Sequence, residues 1–320
     1  MSAPVTPVSG ADELVHGIDP GDWSWSESWY FSWIDLDGGP AGFFRVGILP
    51  NQQRAMLWCF VHVDGAWFGV EESRLAFDDF DLSGGVAYDK WALRFAWRPE
   101  VPLVDAHFTV DGTFLTRSGP DAGAHVAVSI DLACRSTGVC VGTGTGDDAF
   151  RSAYQDGRFE QPFEATGAVV VGGRRQTIRA GAHRDRSWGP REWRQTFTLG
   201  DIQSEDRQLY FVGRSFPGLG GGFLRNGSDS LRHLVCVDGS IEYDDRRRTI
   251  ATGRLSFEGG EGDRIEVTLE PIAPSVDFDM AHTCEPPEHW LYWRTLVEAH
   301  VTGWDGPCRG WLEANRYGLA

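Results

Sequence analysis

The sequence predicts an all-β, mainly antiparallel fold, and three observations carry that expectation. Short apolar runs recur at strand length, at 42–49, 55–63, 91–97 and 107–110. Four tight-turn signals, each a valine followed by Asp-Gly or Gly-Gly, stand at 63–65, 110–112, 171–173 and 237–239. Each reads as a hairpin, because such residue pairs accept the positive φ angles that two-residue turns demand. No amphipathic helical period persists beyond about two turns. The 40 glycines, which follow no collagen-like period, fit a chain with many turns.

The bulk numbers exclude some partners. A net charge of −17 argues against nucleic acid or an anionic membrane surface as the main partner, since both favour a basic face. No stretch approaches the roughly 18 apolar residues of a membrane span. Residues 1–21 contain neither the basic n-region nor the apolar run of a signal peptide, so a cytoplasmic location is expected. The six cysteines (59, 134, 140, 236, 284 and 308) are scattered without a CxxC pair, the usage of buried thiols rather than a metal site. No metal and no organic cofactor is expected.

In chain order, 1–22 is a polar leader. The stretch 23–35 then alternates: Trp23, Trp25, Glu27, Trp29, Phe31, Trp33 and Asp35 share one parity, and serine dominates the other. On a strand this builds one aromatic face, either a ligand wall or plain core. The glycine-, threonine- and aspartate-rich stretch 136–157 reads as a linker, dividing a domain over 23–145 from one over 146–320. Neither Gly-Thr-Gly-Thr-Gly at 142–146 nor the glycines of 218–222 have the lysine or strand-to-helix frame of a phosphate loop. The second half opens with a hairpin, 163–171 returning over 174–188. Later, the aromatic density of 289–298 echoes that of 27–34, a faint sign of duplication.

The return strand ends in His183-Arg184-Asp185-Arg186-Ser187-Trp188-Gly189-Pro190-Arg191-Glu192-Trp193, the densest chemistry in the chain. By alternation His183, Asp185 and Ser187 share one face, and Arg184, Arg186 and Trp188 the other. The expectation is that His183 and Asp185 face a cavity walled by Trp23, Trp25, Trp29, Phe31, Trp33 and Trp188, with Glu27 among them. In such a pocket Asp185 would stay protonated and donate a proton, assisted by His183, while indole faces steady a cation. The alternative is that Asp185 is an ion-paired strut and His183 a structural histidine. Asp35 and Glu313 are weaker candidates. His-Arg-Asp also occurs in kinase catalytic loops, but Pro190 stands where an asparagine is needed and no Asp-Phe-Gly follows.

These residues resemble a known group. Glu160-Gln-Pro-Phe-Glu-Ala-Thr-Gly, a hairpin, and Gly181-Ala-His-Arg-Asp-Arg-Ser-Trp-Gly-Pro-Arg191 look like the core motif of the carotenoid hydratase (hydroxyneurosporene synthase)-like superfamily. That superfamily includes lipocalin-like terpene cyclases and Diels–Alderases. The resemblance runs from about Trp23 and implies two tandem lipocalin-like antiparallel β-barrels with a ligand cavity. Its motif carries over onto His183, Asp185, Trp188 and Gly189. Arg186 stands where the carotenoid hydratases usually have histidine, which removes one possible proton carrier. The expected activity is acid-initiated cyclisation or hydration of a hydrophobic isoprenoid or terpenoid, with Asp185 as proton donor. The rivals are a pericyclase that shapes a polyene and a non-catalytic carrier of a lipophilic ligand.

Overall fold

A computed structural model of the 320-residue chain describes residues 8–142, 157–215, 219–227, 230–244, 249–259, 262–280, 291–306 and 308–317. Much of the linker stretch 136–157, most of the glycine run 142–146, Gly218 and the start of the 289–298 echo lie outside the described residues. The chain is nearly all strand. Three 3₁₀ turns (Gly10–Glu13, Pro50–Gln52 and Phe77–Asp79) are the helical elements among the described residues. No helix there is long and apolar enough to cross a membrane.

The chain divides into two compact units, with the break between Arg191 and Glu192. The first contains β1 (Trp25–Asp35), β2 (Ala41–Leu49), β3 (Arg54–Val63), β4 (Ala66–Ala76), β5 (Phe80–Asp81), β6 (Val86–Lys90), β7 (Leu93–Val101), β8 (Asp105–Thr116), β9 (His125–Ser136), β10 (Val141–Gly142), β11 (Gly157–Val171) and β12 (Arg174–Pro190). Neighbouring strands run antiparallel around a closed ring of eight, β1-β2-β3-β4-β8-β9-β11-β12, and β12 returns to β1. The second unit contains β13 (Thr196–Gln203), β14 (Arg207–Ser215), β15 (Leu219–Asn226), β16 (Ser230–Asp244), β17 (Thr249–Gly259), β18 (Arg264–Pro271), β19 (Val276–Asp279), β20 (Leu291–Val301) and β21 (Cys308–Arg316). Pairing of β18 with β20 closes β13-β14-β15-β16-β17-β18-β20-β21 into a second ring of eight. The tandem antiparallel barrels implied by the resemblance are therefore present.

Each ring encloses its own core. In the first, Phe31 and Trp97 approach to 5.0 Å between ring centroids and Phe44 and Phe108 to 4.7 Å. In the second, Phe211 and Phe257 pack at 5.3 Å amid Leu255, Val267 and Leu312. The strand calculus of the sequence holds for β2, β3 and the hairpin of β11 with β12. The turns at 63–65 and 171–173 also form: Asp64, Gly65, Gly172 and Gly173 all adopt positive φ.

Three expectations fail. The turn signal at 110–112 lies inside β8, where Gly112 pairs with both Leu93 and Val128. The signal at 237–239 lies inside β16, beside a bulge between Cys236 and Asp238. A glycine within a strand marks close backbone approach or a bulge as readily as a turn, and neighbouring strands decide which. The boundary at 145/146 also fails. β11 and β12 complete the first ring, so the unit runs to Arg191, because a barrel without them would leave the edges of β1 and β9 unpaired.

Close packing around β1 makes a definite prediction. Trp33 lies opposite Gly42, and a Cβ on Gly42 would stand 2.2 Å from the Trp33 ring. Gly42→Val is expected to lower stability by about 1–3 kcal/mol through overpacking. Urea denaturation checks this; an unchanged midpoint would show that the indole has room to move.

Candidate functional site

The register between β1 and β12 decides which side chains meet. Trp29 lies opposite Arg186, Phe31 opposite Arg184 and Glu27 opposite Trp188. On the other parity, Ser28 lies opposite Ser187, Tyr30 opposite Asp185 and Ser32 opposite His183. Trp29, Phe31 and Trp33 belong to the barrel core. The alternation expected of the motif is therefore right, but its orientation is reversed. Arg184, Arg186 and Trp188 share the aromatic inner face, and His183 and Asp185 share the outer face with serines and Tyr30. All eleven residues of β1 are buried, so both faces are closed to water.

The inner face holds two guanidiniums. Arg186 lies 3.9 Å above the Trp29 ring and pairs through Nη2 with the Glu27 carboxylate. It also donates to the Leu14 carbonyl at 2.8 Å. Burial pushes the Arg186 pKa down, and the Glu27 charge pulls the other way. Arg184 makes a two-pronged bridge to Glu13, both contacts at 2.7 Å, and donates to Gln161 Oε1 at 2.6 and 2.9 Å. Its Cζ lies 5.0 Å from the Phe159 ring and 4.9 Å from Phe163. The leader is therefore no loose polar tail over its described residues. Glu13 is buried against Arg184, and the His16 ring stacks on Trp188 at 3.8 Å and 8°.

The outer face holds a row of four ionisable groups on β11 and β12. His183 Nε2 lies 2.7 Å from Glu160 Oε2. Arg158 donates from Nε to Glu160 Oε1 at 2.5 Å and from Nη2 to Asp185 Oδ2 at 2.9 Å. Beside them the Ser28 and Ser187 hydroxyls are 2.6 Å apart. His183 and Glu160 are buried, whereas the Asp185 side chain keeps 13% of its exposure. Chemically, the row pairs an imidazole with one carboxylate and holds a second carboxylate on a guanidinium.

Each expected site residue can now be placed. His183 and Asp185 come together with Glu160 and Arg158, but not with the tryptophan wall. Trp25, Trp29, Phe31 and Trp33 are buried, and the last three fill the core. Trp23 precedes β1 and is 61% exposed, so it lines nothing with them. Trp188 packs on His16, and Glu27 is the partner of Arg186. Asp35 accepts from the backbone N–H of Asp37 and of Gly39 in the turn after β1. Glu313 pairs with Arg294 in the second unit. A cavity of about 470 Å³ at one end of the first barrel is lined by Val63, Phe68, Val126 and Val171 under a rim that includes Asp64 and Arg174, and no expected site residue reaches it.

Residues 9–316 match the family described as Domain of unknown function (DUF7064). The chain belongs to that family. No curated protein matches the chain. Solved structures do share its fold. An AttH candidate from Nitrosomonas europaea has a TM-score of 0.58 at 15% identity, covering 99% of this chain and 100% of its own. Kievitone hydratase from Nectria haematococca gives 0.58 at 13% identity, covering 99% and 94%. CghA gives 0.55 at 14%, covering 95% and 94%, and is also solved with Sch210972. The chain thus shares the fold of these solved structures, with the tandem antiparallel barrels that the motif's resemblance implied.

Sequence reasoning missed Glu160 and Arg158 as site residues, and it missed Glu13. The first two carried a signal. They alternate on the strand that pairs with the motif, and Glu160 lies opposite Asp185. Glu13 carried none, being one acid in a polar leader. Its burial makes it testable. Glu13→Gln should cost about 3–5 kcal/mol, because Arg184 is left as an uncompensated buried charge. Paired with Arg184→Met, the same change should cost much less. Chemical denaturation of the three variants checks this, and equal losses in single and double variants would refute the pairing.

Proposed function

We propose that the chain is a cofactor-independent enzyme that moves protons on a lipophilic small molecule, hydrating or cyclising an isoprenoid-type polyene. The row His183–Glu160–Arg158–Asp185 is its acid–base apparatus. The observation that carries the reading is the row itself. Four ionisable side chains in hydrogen-bonded sequence on a buried strand pair are costly to fold, and such groups collect where chemistry needs them. Solved examples of the fold that include a hydratase and a complex with a small molecule support it.

The pairing of Asp185 with Arg158 changes its role. A carboxylate held on a guanidinium acts as a base and as a negative charge, so the acid role passes to His183, whose imidazolium form Glu160 stabilises. The two lie two residues apart on one strand face, about 6–7 Å along it. In a hydration, the π electrons of the substrate take a proton from His183 to form a C–H bond and leave a cation. Water then adds its oxygen to the cationic carbon, the other end of the former double bond, and gives a proton to Asp185. In a cyclisation, an internal double bond attacks the cation, and Asp185 takes the proton from the adjacent carbon. Exchange with solvent, which reaches the row at the partly exposed Asp185, restores both groups for the next turnover. Tyr30, opposite Asp185 and on the same face, is the aromatic group nearest this chemistry by register.

The apolar-walled cavity at the end of the first barrel favours a second reading, a carrier or a catalyst by shape alone, in which the row is only structural. Asp185→Asn and His183→Gln, assayed for product from a panel of prenyl alcohols and polyenes and for thermal unfolding, separate the two. The acid–base reading expects turnover to fall about 10²–10⁴-fold with folding nearly intact. Unchanged turnover supports catalysis by shape, and stoichiometric binding with no product from any substrate supports carriage. Loss of fold in parallel with turnover makes the row a staple.

A further inference from the structure

At one end of the first barrel, the turn between β3 and β4 (64–65) and the turn between β11 and β12 (172–173) stand four strands apart in a ring of eight. They therefore face each other across the mouth. An ion pair spans the gap. Arg174 Nη1 lies 3.0 Å from Asp64 Oδ2, and Gln176 donates to the same carboxylate at 3.2 Å. The Arg174 and Asp64 side chains are 77% and 51% exposed, so this crossbar is a weak tie. On its β8–β9 side lies the cavity of about 470 Å³.

The floor of the cavity is apolar and open to it. β3, β4, β9 and β11 turn Val63, Phe68, Val126 and Val171 inward, where Val63 joins the core and the other three pack against it while only partly buried. One step deeper on β3, β9 and β11, Val61, Val128 and Val169 are at most 2% exposed. The barrel is thus filled below this level and unfilled at it. The wall is the loop 117–124, and it is held in place. Arg117 N–H donates to the Trp67 carbonyl at 2.7 Å, Trp67 N–H to Ser118 Oγ at 2.9 Å, and Gly123 N–H to the Thr116 carbonyl at 2.8 Å. A wall already in place leaves little to order on binding. The rim carries two carboxylates, Asp64 and Asp121, against one guanidinium, Arg174, with His125 the remaining titratable group of the lining. All four are exposed, and Arg174 already faces Asp64, so no rim charge is left to anchor an anionic head. The net charge of −17 opposes an anion further.

We propose that this cavity binds a neutral lipophilic alcohol of medium chain length. Its hydrocarbon body lies on Val63, Phe68, Val126 and Val171, its hydroxyl lies at the rim beside Ser118, and the rim carboxylates turn away the corresponding acid. The volume is within the range of small-molecule sites. The proposal rests on the cavity that favours the carrier reading and not on the proton row, so the two are decided by different measurements.

The test titrates the full-length protein at pH 8 with octanol and, separately, with octanoate, following heat of binding. Octanol is expected to bind at one site per chain, and octanoate about tenfold or more weaker. Val126→Trp and Ala66→Phe fill the cavity from different strands. Either one, if its unfolding midpoint is kept, should weaken octanol by about tenfold or more. Asp64→Asn suits the positive φ of its turn position, removes one rim charge and releases Arg174. In it octanoate should gain about threefold or more, and octanol should change by less than about twofold. Asp185→Asn should leave octanol binding as it was, which keeps this result separate from that of the proton row. No binding at millimolar octanol, an acid that binds as tightly as the alcohol, or a folded filled variant that binds octanol normally would each overturn the proposal. If both fillings unfold, Asp64→Asn still decides, and octanoate that gains nothing there overturns it.

Discussion

The pairing of β1 with β12 is the constraint on which the first unit depends. It runs through eleven consecutive residue pairs, from Trp25 with Pro190 to Asp35 with Ala180. Because β1 is buried on both faces, parity alone decides what each residue does. Odd positions must suit an aromatic interior, and even positions must suit a sheet face of small and polar groups. A shift of one residue would send Trp29 and Trp33 to the serine face and bring Asp185 into the core. The register therefore fixes at once where the core lies and where the titratable row lies.

Charge inside this fold is tolerated because it is answered locally. Glu13 meets Arg184, Glu27 meets Arg186, and Glu160 and Asp185 share Arg158. The second unit repeats the device with Arg294 and Glu313 on adjacent strands. Buried pairs of this kind add little net stability over apolar packing, yet they penalise any arrangement that separates the partners. The Glu13–Arg184 bridge joins residues 171 apart in sequence, so it ties the start of the described chain to the strand that closes the ring. Such a tie selects one closure rather than strengthening all of them.

The all-β class, strands β2 and β3 and the β11–β12 hairpin were legible because strand alternation and Asp-Gly or Gly-Gly turns act locally. The motif's alternation was legible too, but not its sign. Which parity of β12 faces inward is set by its partner β1, some 150 residues away, and no local pattern of Arg184, Asp185 and Arg186 contains it. An apolar pocket suits a protonated Asp185, so sequence alone puts the acids with the tryptophans. The register places the arginines there instead, where their guanidiniums lie over indole and phenyl rings. The boundary was misplaced for a related reason. A glycine-rich stretch looks like a linker, but the first ring still lacked two strands at that point. Arg158 and Glu160 went unweighed because ion pairs across strands leave no spacing signature in a single chain.

The late arrival of β12 has a consequence for synthesis. β1 is made before its partner over 180–190, which emerges about 150 residues later. At roughly 5–20 residues per second, that is on the order of ten seconds or more. During that time a tryptophan-rich strand has one edge without its native neighbour, the circumstance in which nascent chains pair with the wrong strand or with each other. Serine at nearly every second position of this stretch, in place of further valine or isoleucine, keeps the waiting strand less sticky on one side. The same serines later form the face on which His183 and Asp185 stand, so their small polar side chains serve the nascent chain before they serve the finished protein.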